Sequence, residues 1–190
     1  SQAVVNTLKE RLLRRGANLH RVRNMYEAAK HVGDCLREVF ERDAEALKSF
    51  GVEFAASLLL GGQIKGEEPR LFHIYAAGNF IEASDENPYF QIGESKYGKP
   101  ILDRVIRRET TLEQAAKCAL ISMDSTIRSN LSVGMPLDLV LYETGSLAIK
   151  CHAVITQDNA YYTQIRQQWG QRLRDAFDGV RRFSDFQRSL

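Results

Sequence analysis

The spacing of apolar residues divides the first part of the chain into two helices and a strand. Helical spacing runs over residues 1–15, and a longer helical pattern over 25–49 is followed by Gly51 as a stop signal. Over 52–64 the apolar residues no longer have helical spacing. An apolar run without a polar face predicts a strand there that is buried on both faces.

Shorter strands and turns follow this run. Segments 71–77 and 80–83 are separated by Gly78-Asn79, so the three strands predict an antiparallel meander. A further short strand is predicted over 89–95, after Pro88.

Two helices are predicted in the middle of the chain. The first covers 100–108 and begins with a proline, which the first helical turn tolerates. Thr110 and Glu113 then have the spacing of a capping box, in which each side chain bonds the other residue's free amide. An alanine-rich apolar stripe continues from there to Ile127 and is the strongest helical signal in the chain.

The last elements are a strand pair and a helix. Strands are predicted over 137–143 and 147–155, and a polar helix over 159–178. No repeat or linker interrupts the pattern, so it predicts one domain over 1–190. Helices grouped around antiparallel strands indicate an α+β fold with helical layers covering strand layers.

Composition narrows the functions that are compatible with this fold. The chain has 190 residues, 44% of them hydrophobic, so its core needs no metal or disulfide. A formal net charge of +2 argues against a nucleic-acid or polybasic membrane surface, and no apolar run approaches the roughly 20 residues of a membrane span. Three distant cysteines predict reduced, buried thiols in a cytoplasmic protein: Cys35, Cys118 and Cys151.

Most polar clusters favour ordinary structural roles. His31 and Cys35 lie four residues apart on a predicted helix, but no second pair has ligand spacing, so no metal or cofactor is predicted. Gly61-Gly62 lacks the Lys of a phosphate loop and favours a strand-end turn. The neighbours Ser95 and Lys96 do not face each other in a regular element.

The loop after the alanine-rich helix carries two serines three residues apart, Ser129 and Ser132. From the residues alone, these hydroxyls either shape a helix end and a loop or lie beside a reacting centre, and the pattern does not decide between the two. Residues 124–126, just before them, are expected to be solvated near a fraying helix end.

The order of motifs resembles a known family. The segments fall in its order: "FAASLLLGGQI", "LFHIYAAGNFIEA", "FQIGESKYGKPILDRVI", "TTLEQAAKCALISMDSTIRSN" and "LSVGMPLDLVLYE". Together they resemble proteasome-type β subunits over nearly the whole chain. "IGESKYGKPILDR" and "AAKCAL" are most similar to the bacterial ancestral β-subunit branch, called Anbu.

This resemblance implies a four-layer αββα sandwich of antiparallel sheets, the N-terminal-nucleophile hydrolase fold. It also implies a mechanism, in which the first residue of the mature chain, usually Thr, attacks an amide with its own α-amine as base, tuned by an Asp and a Lys. In the family these groups precede the helix that opens this chain. The domain is therefore expected to be N-terminally incomplete. Ser1, which runs directly into helical spacing, is not expected to be the nucleophile.

The resemblance also gives the two serines an expected place. Gly134 aligns with the last residue of the family's Ser-Gly-Gly, which puts Ser132 at the Ser position and Ser129 at an Asp position. Both are then supporting residues beside the nucleophile. A serine in place of that Asp supplies no negative charge, so two functions stay open: a threonine-type peptidase subunit, or a non-catalytic structural subunit of a proteasome-like particle.

Partners follow from the same resemblance. A homo-oligomer is expected, as a ring or an open spiral, with a peptide or protein as substrate. No nucleic-acid, membrane or cofactor partner is predicted. The sequence does not indicate an unfoldase partner.

Overall fold

The computed structural model describes residues 2–14, 16, 18–51, 56–181 and 183. Five helices and five strands are assigned within this part of the chain. The helices are α1 (Gln2–Leu12), α2 (Met25–Ser49), α3 (Lys99–Val105), α4 (Leu112–Ser129) and α5 (Ala160–Asp178). The strands are β1 (Leu58–Gly62), β2 (Arg70–Ile74), β3 (Phe80–Glu82), β4 (Leu137–Leu141) and β5 (Cys151–Ile155).

The chain divides into two compact units. The first unit holds Ser1–Gly93, Arg107–Glu109 and Tyr142–Lys150. The second unit holds Glu94–Ile106, Thr110–Leu141 and Cys151–Leu190.

Helix α2 organises the first unit, and its ends are set locally. Asn24 caps its N-terminus by accepting a hydrogen bond from the Glu27 amide, and Gly51 follows its C-terminus in the left-handed region at φ 71°. Its apolar side packs with α1 and the sheet into one core. Its most buried members, all at 3% exposure or less, are Val4, Ala29, Val32, Cys35, Leu36, Val39, Phe72 and Ile74.

The sheet of the first unit is antiparallel in the order β1-β2-β3, as the predicted meander requires. Its packing differs from the prediction of a strand buried on both faces. In β1, Leu58 and Leu60 pack against the helical core, whereas Leu59 between them is 39% exposed. Alternate side chains of a strand point to opposite faces, so one helical layer covers only every second residue. Residues 52–55 of the predicted strand lie outside the described residues.

Close backbone contact joins α2 to the turn between β2 and β3. A Cβ on Gly33 would lie 2.2 Å from the Gly78 carbonyl oxygen, so only a glycine fits on the helix. Arg37, one turn later, donates from Nε to the Ala77 carbonyl at 3.2 Å. The turn is therefore held against the middle of α2.

The second unit packs three helices with the β4–β5 hairpin. Strand β4 pairs antiparallel with β5, Leu139 opposite Ala153. Apolar side chains from one face of this hairpin pack against α4 and α5 around Leu120, Ile155 and Tyr162. None of the helices in the described part of the chain is long and apolar enough to cross a membrane.

Several local predictions differ from the structure. The strands predicted over 137–143 and 147–155 are shorter, Leu137–Leu141 and Cys151–Ile155. Residues 89–95 form no strand and run as an irregular segment toward α3, so that prediction is wrong. The capping box exists one residue later than predicted, between Thr111 and Gln114. All three cysteines are free thiols, but Cys151 is exposed rather than buried. It shares a face of β5 with Ala153 and Ile155, but as the first residue of the strand it is not among the side chains that pack in the core.

Candidate functional site

The candidate site lies in the loop after α4. Helix α4 itself begins at a capping box. The Thr111 hydroxyl accepts a hydrogen bond from the Gln114 amide at 3.2 Å, and the Gln114 side chain accepts from the Thr111 amide at 3.2 Å. Such a box satisfies two free amides at the helix N-terminus. The first turn of α4 is thereby stabilised.

The last turns of α4 are anchored by a buried carboxylate. Asp124 is buried, and its oxygens lie 3.0 Å from Arg128 Nε and 2.9 Å from Arg166 Nε on α5. The Tyr162 hydroxyl donates to Asp124 Oδ1 at 3.3 Å. A buried charge is tolerated when it is paired in this way. The predicted solvation of residues 124–126 is therefore wrong, although the Ser125 and Thr126 hydroxyls do donate to backbone carbonyls of the helix.

This cluster changes the acidity of Tyr162. Burial, and next to it the negative charge of Asp124, raises the pKa of Tyr162 to about 12. The phenol is therefore neutral near neutral pH and serves as a hydrogen-bond donor to the carboxylate.

A glycine brings the segment before α3 onto α4. A Cβ on Gly98 would lie 2.2 Å from Ser122 Oγ and 3.0 Å from Thr126 Oγ1. Ser122 and Thr126 are buried, one turn apart on α4. The segment that begins at Glu94 is therefore held beside the last turns of the helix.

The two predicted supporting serines are both exposed. Ser129 is the last residue of α4, where the helix ends because Asn130 has extended backbone angles. Ser132 lies in the turn that follows, where its amide donates to Asn130 Oδ1 at 2.9 Å and its hydroxyl donates to the same oxygen at 2.7 Å. The Ser132 hydroxyl is thus fixed by a neighbour two residues before it.

Asn130 in turn contacts a segment far away in the sequence. Its side-chain amide donates from Nδ2 to Glu94 Oε2 at 2.9 Å. The other Glu94 oxygen accepts from the Lys96 amide at 2.9 Å. This backbone hydrogen bond, helped by the contact with Asn130, lowers the pKa of Glu94.

Glu94 and Asn130 were not among the predicted supporting residues. Glu94 follows the Ile-Gly pair of one motif and Asn130 follows the helix end, but only the folded chain brings them together. The remaining polar candidates do not form a metal centre. Within the described residues, no three His, Cys, Asp or Glu side chains are grouped to hold a metal ion. Cys35 Sγ instead donates to the Val4 carbonyl at 3.7 Å.

Comparison with known proteins places the sequence among proteasome-like chains. The pattern of the proteasome subunit family matches residues 5–140. Anbu (ancestral beta-subunit) from Yersinia bercovieri is 51% identical over 96% of this chain and 75% of that chain, with a TM-score of 0.88. No curated protein matches the sequence.

Two further solved structures are similar. The structure described as the helical assembly of the Anbu complex from Pseudomonas aeruginosa is 47% identical, covers 95% of this chain and 75% of that chain, and has a TM-score of 0.89. The Gly-1 mutant of Anbu from Hyphomicrobium sp. strain MC1 is 48% identical over 96% of this chain and 75% of that chain, with a TM-score of 0.88. These similarities confirm the α+β fold class that the motifs implied, the four-layer αββα sandwich.

Proposed function

Because the chain belongs to the proteasome subunit family, in its Anbu branch, we propose that it is a subunit of a bacterial homo-oligomer that hydrolyses amide bonds. The family match over residues 5–140 carries this proposal. The sequence prediction of the branch is confirmed by the same comparisons. The substrate is a peptide or protein, which is the class of amide that the family mechanism implies.

The proposed chemistry is that of an N-terminal threonine. Its hydroxyl oxygen attacks the amide carbonyl while its α-amine takes the proton. The C–N bond then breaks, and the proton passes to the departing amine. Water hydrolyses the resulting ester and regenerates the threonine.

The Anbu chain from Yersinia bercovieri is longer than the part of it that aligns with this chain, since the alignment covers 75% of its length. In the proposal, the nucleophile, its Asp and its Lys lie in a segment that the printed sequence does not include. Ser1 lies outside the described residues.

Ser132 and Ser129 are supporting residues in this proposal. Ser132 has an exposed hydroxyl held at 2.7 Å from Asn130, and Ser129 ends α4 beside it in sequence. Ser132→Ala should leave the free energy of unfolding within about 1 kcal/mol, because the side chain is exposed. It should also slow peptide hydrolysis and covalent labelling by a proteasome-type inhibitor.

The test uses the full-length protein, with labelling followed by mass spectrometry. Asn87→Ala, an exposed polar change in the first unit, is the control and should leave both rates unchanged. Wild-type protein that neither hydrolyses peptides nor accepts the label would end the peptidase proposal. The second candidate, a non-catalytic structural subunit, would then stand. The serine at the family's Asp position is the observation that favours it.

Ser129→Asp tests whether that missing charge limits the reaction. If a carboxylate at this position is needed, the substitution should raise the labelling rate. Ser129→Asn is the neutral control. An unchanged rate in Ser129→Asp would count against a need for a carboxylate at position 129.

Assembly is proposed from the exposed apolar side of α5. The helix starts buried at Tyr162 and Ile165, and its last turns then present Leu173 and Phe177 at 51% and 78% exposure. Val180, just after the helix, is 66% exposed. Beside it, a groove of about 330 Å³ is lined by Ile101, Val105 and Trp169 among other residues. Apolar surface of this kind is typical of protein interfaces. The assembly is a ring or an open spiral of identical subunits.

Light scattering at tens of micromolar protein tests this surface. Leu173→Glu with Phe177→Glu should dissociate the wild-type oligomer, because the charges would be buried in the contact. Gln167→Glu with Gln168→Glu adds the same charge to α5 and should not. A monomeric wild type would contradict assembly, and a double variant that stays oligomeric would exclude this surface.

Cytoplasmic location is part of the proposal. Cys35 and Cys118 are buried free thiols, as is usual in a reducing compartment. Cell fractionation with an antibody against the native protein would test the location.

A further inference from the structure

Three side chains of the second unit form a continuous hydrogen-bonded chain that ends at Ser132. Glu94 Oε2 accepts from Asn130 Nδ2 at 2.9 Å. Asn130 Oδ1 accepts from the Ser132 hydroxyl at 2.7 Å and from the Ser132 amide at 2.9 Å. Glu94 and Asn130 are half-buried, and Ser132 is exposed. A carboxylate is thus linked to a surface hydroxyl through one amide side chain.

The hydrogen-bonding groups of Glu94 and Ser132 determine how the Asn130 side-chain amide is oriented. An ionised Glu94 has only acceptor atoms, so the Asn130 atom facing it must be the NH₂ group. The Ser132 backbone amide has only a hydrogen to offer, so the atom facing it must be the Asn130 oxygen. Both ends require the same orientation of the side chain, and the amide cannot turn over without losing both contacts.

This orientation assigns a direction to the Ser132 hydroxyl. Asn130 Oδ1 carries no hydrogen, so the Ser132 O–H must donate to it, and the lone pairs of Ser132 Oγ remain free to accept. Hydrogen bonds in such a chain polarise one another, and a charged end strengthens the effect. In the proposed mechanism, an acceptor can bind an N–H of the nucleophile's α-amine and leave the nitrogen lone pair to take the hydroxyl proton.

A carboxylate at position 94 has a different electrostatic environment from one at position 129. The C-terminal end of a helix carries partial negative charge, which disfavours an acid at its last residue. Ser129 occupies that residue, with Arg128 beside it. Glu94 approaches from another segment and has its own amide donor, the Lys96 N–H. The lowered pKa of Glu94 is consistent with an ionised side chain near neutral pH.

We propose that Glu94 and Asn130 are positioning residues of the candidate site, which together orient Ser132 Oγ as an acceptor and supply the negative charge that position 129 lacks. The inference rests on the proposed amide hydrolase function. It predicts that the reaction rate depends on one negative charge in this chain of contacts. It also predicts that the charge can be placed at position 130 instead of position 94.

A charge exchange within the full-length oligomer tests the proposal. Glu94→Gln removes the charge, and Asn130→Asp places two carboxylates against each other. Each should lower kcat, or the labelling rate by a proteasome-type inhibitor, by about five- to tenfold, with a smaller change in KM.

In the double variant, the side-chain amide introduced at position 94 can donate to the carboxylate introduced at position 130, which still accepts from Ser132. The rate of the double variant should return to within about threefold of wild type. Glu113→Gln, an exposed change of the same charge on the first turn of α4, should leave the rate unchanged.

Hydrogen exchange at the Ser132 amide separates this proposal from the function on which it rests. Exchange should become faster in Asn130→Asp, because the repelled side chain no longer holds the turn, and should return to the wild-type rate in the double variant. If no wild-type labelling or hydrolysis is found, the hydrolase proposal fails, and restored exchange still supports the coupling of Glu94 to Ser132. A double variant that is as slow as the slower single variant, or exchange that does not recover, overturns the positioning role.

Discussion

In the first unit the buried side of α2 is apolar along its whole packed length, whereas in the second unit the buried side of α4 carries polar groups. Val32, Leu36 and Val39 fill the first core. Ser122, Asp124 and Thr126 are buried on α4 beside Leu120 and Cys118. Apolar packing is strong but has no direction, whereas hydrogen bonds and ion pairs are directional. The polar helix is the one that ends at the candidate site, and its contacts determine where the loop begins.

The largest expected effect tests the apolar side of this comparison. Leu36→Ala should lower the free energy of unfolding by about 2–5 kcal/mol, because Leu36 is fully buried and its loss leaves a cavity. Urea unfolding at constant protein concentration measures it. Leu131→Ala, at a fully exposed position, should stay within about 0.5 kcal/mol. Equal losses in both variants would contradict the assignment of the core.

A smaller loss in the free energy of unfolding is expected when the polar cluster around Asp124 in the second unit is changed. Asp124→Asn keeps the shape but removes the charge that Arg128 and Arg166 face, and should cost about 1–3 kcal/mol. Glu113→Gln, the same chemical change at an exposed site, is the control. A neutral result for Asp124→Asn would mean that the buried carboxylate does not stabilise the second unit.

The smallest expected loss of stability concerns the Tyr162 phenol in this cluster, and it tests one hydrogen bond of the polar core. Tyr162→Phe should cost about 0.5–1.5 kcal/mol at neutral pH, for one lost hydrogen bond. The pKa of Tyr162 is raised to about 12, so the folded state holds this proton more tightly than the unfolded state. Its contribution to stability is therefore complete below pH 10 and is lost as the pH rises toward 12.

Unfolding measured across this alkaline range should show a shallower loss in Tyr162→Phe than in wild type. Tyr161→Phe, whose side chain is exposed, should not change the slope. If wild type and Tyr162→Phe lose stability in parallel, the phenol is not the group that titrates.

Much of the fold could be predicted because helix ends and periodicity are local. The helix over 25–49 was predicted with the bounds that α2 has, since the helical pattern covers these residues and Gly51 follows as a stop signal. The Asn24 cap was not part of the prediction and is seen only in the structure. The capping box was placed one residue early. Two overlapping Thr-x-x-Glu and Thr-x-x-Gln patterns fit equally well, and only the folded chain selects Thr111 and Gln114. The prediction of one domain over 1–190 stays a prediction.

The candidate site was only partly predictable. Ser129 and Ser132 follow from a motif within one short stretch, and their supporting roles remain predictions. The burial of Asp124 was missed because a carboxylate near a helix end is usually solvated, and its partner Tyr162 lies 38 residues away. The strand predicted over 89–95 was wrong for a similar reason. Alternating apolar residues form a strand only where another strand pairs with them.

By itself, the sequence determined the α+β class, the order of the helices and the bounds of α2, the branch of the family and the loop that carries Ser132. These depend on hydrogen bonds and side-chain spacing within a few residues, or on motifs in a fixed order. Only the tertiary structure decided that Glu94 contacts Asn130 across 36 residues and that Asp124 is buried against α5. Such contacts form when packed elements bring distant segments together, because no local preference of either segment selects its partner.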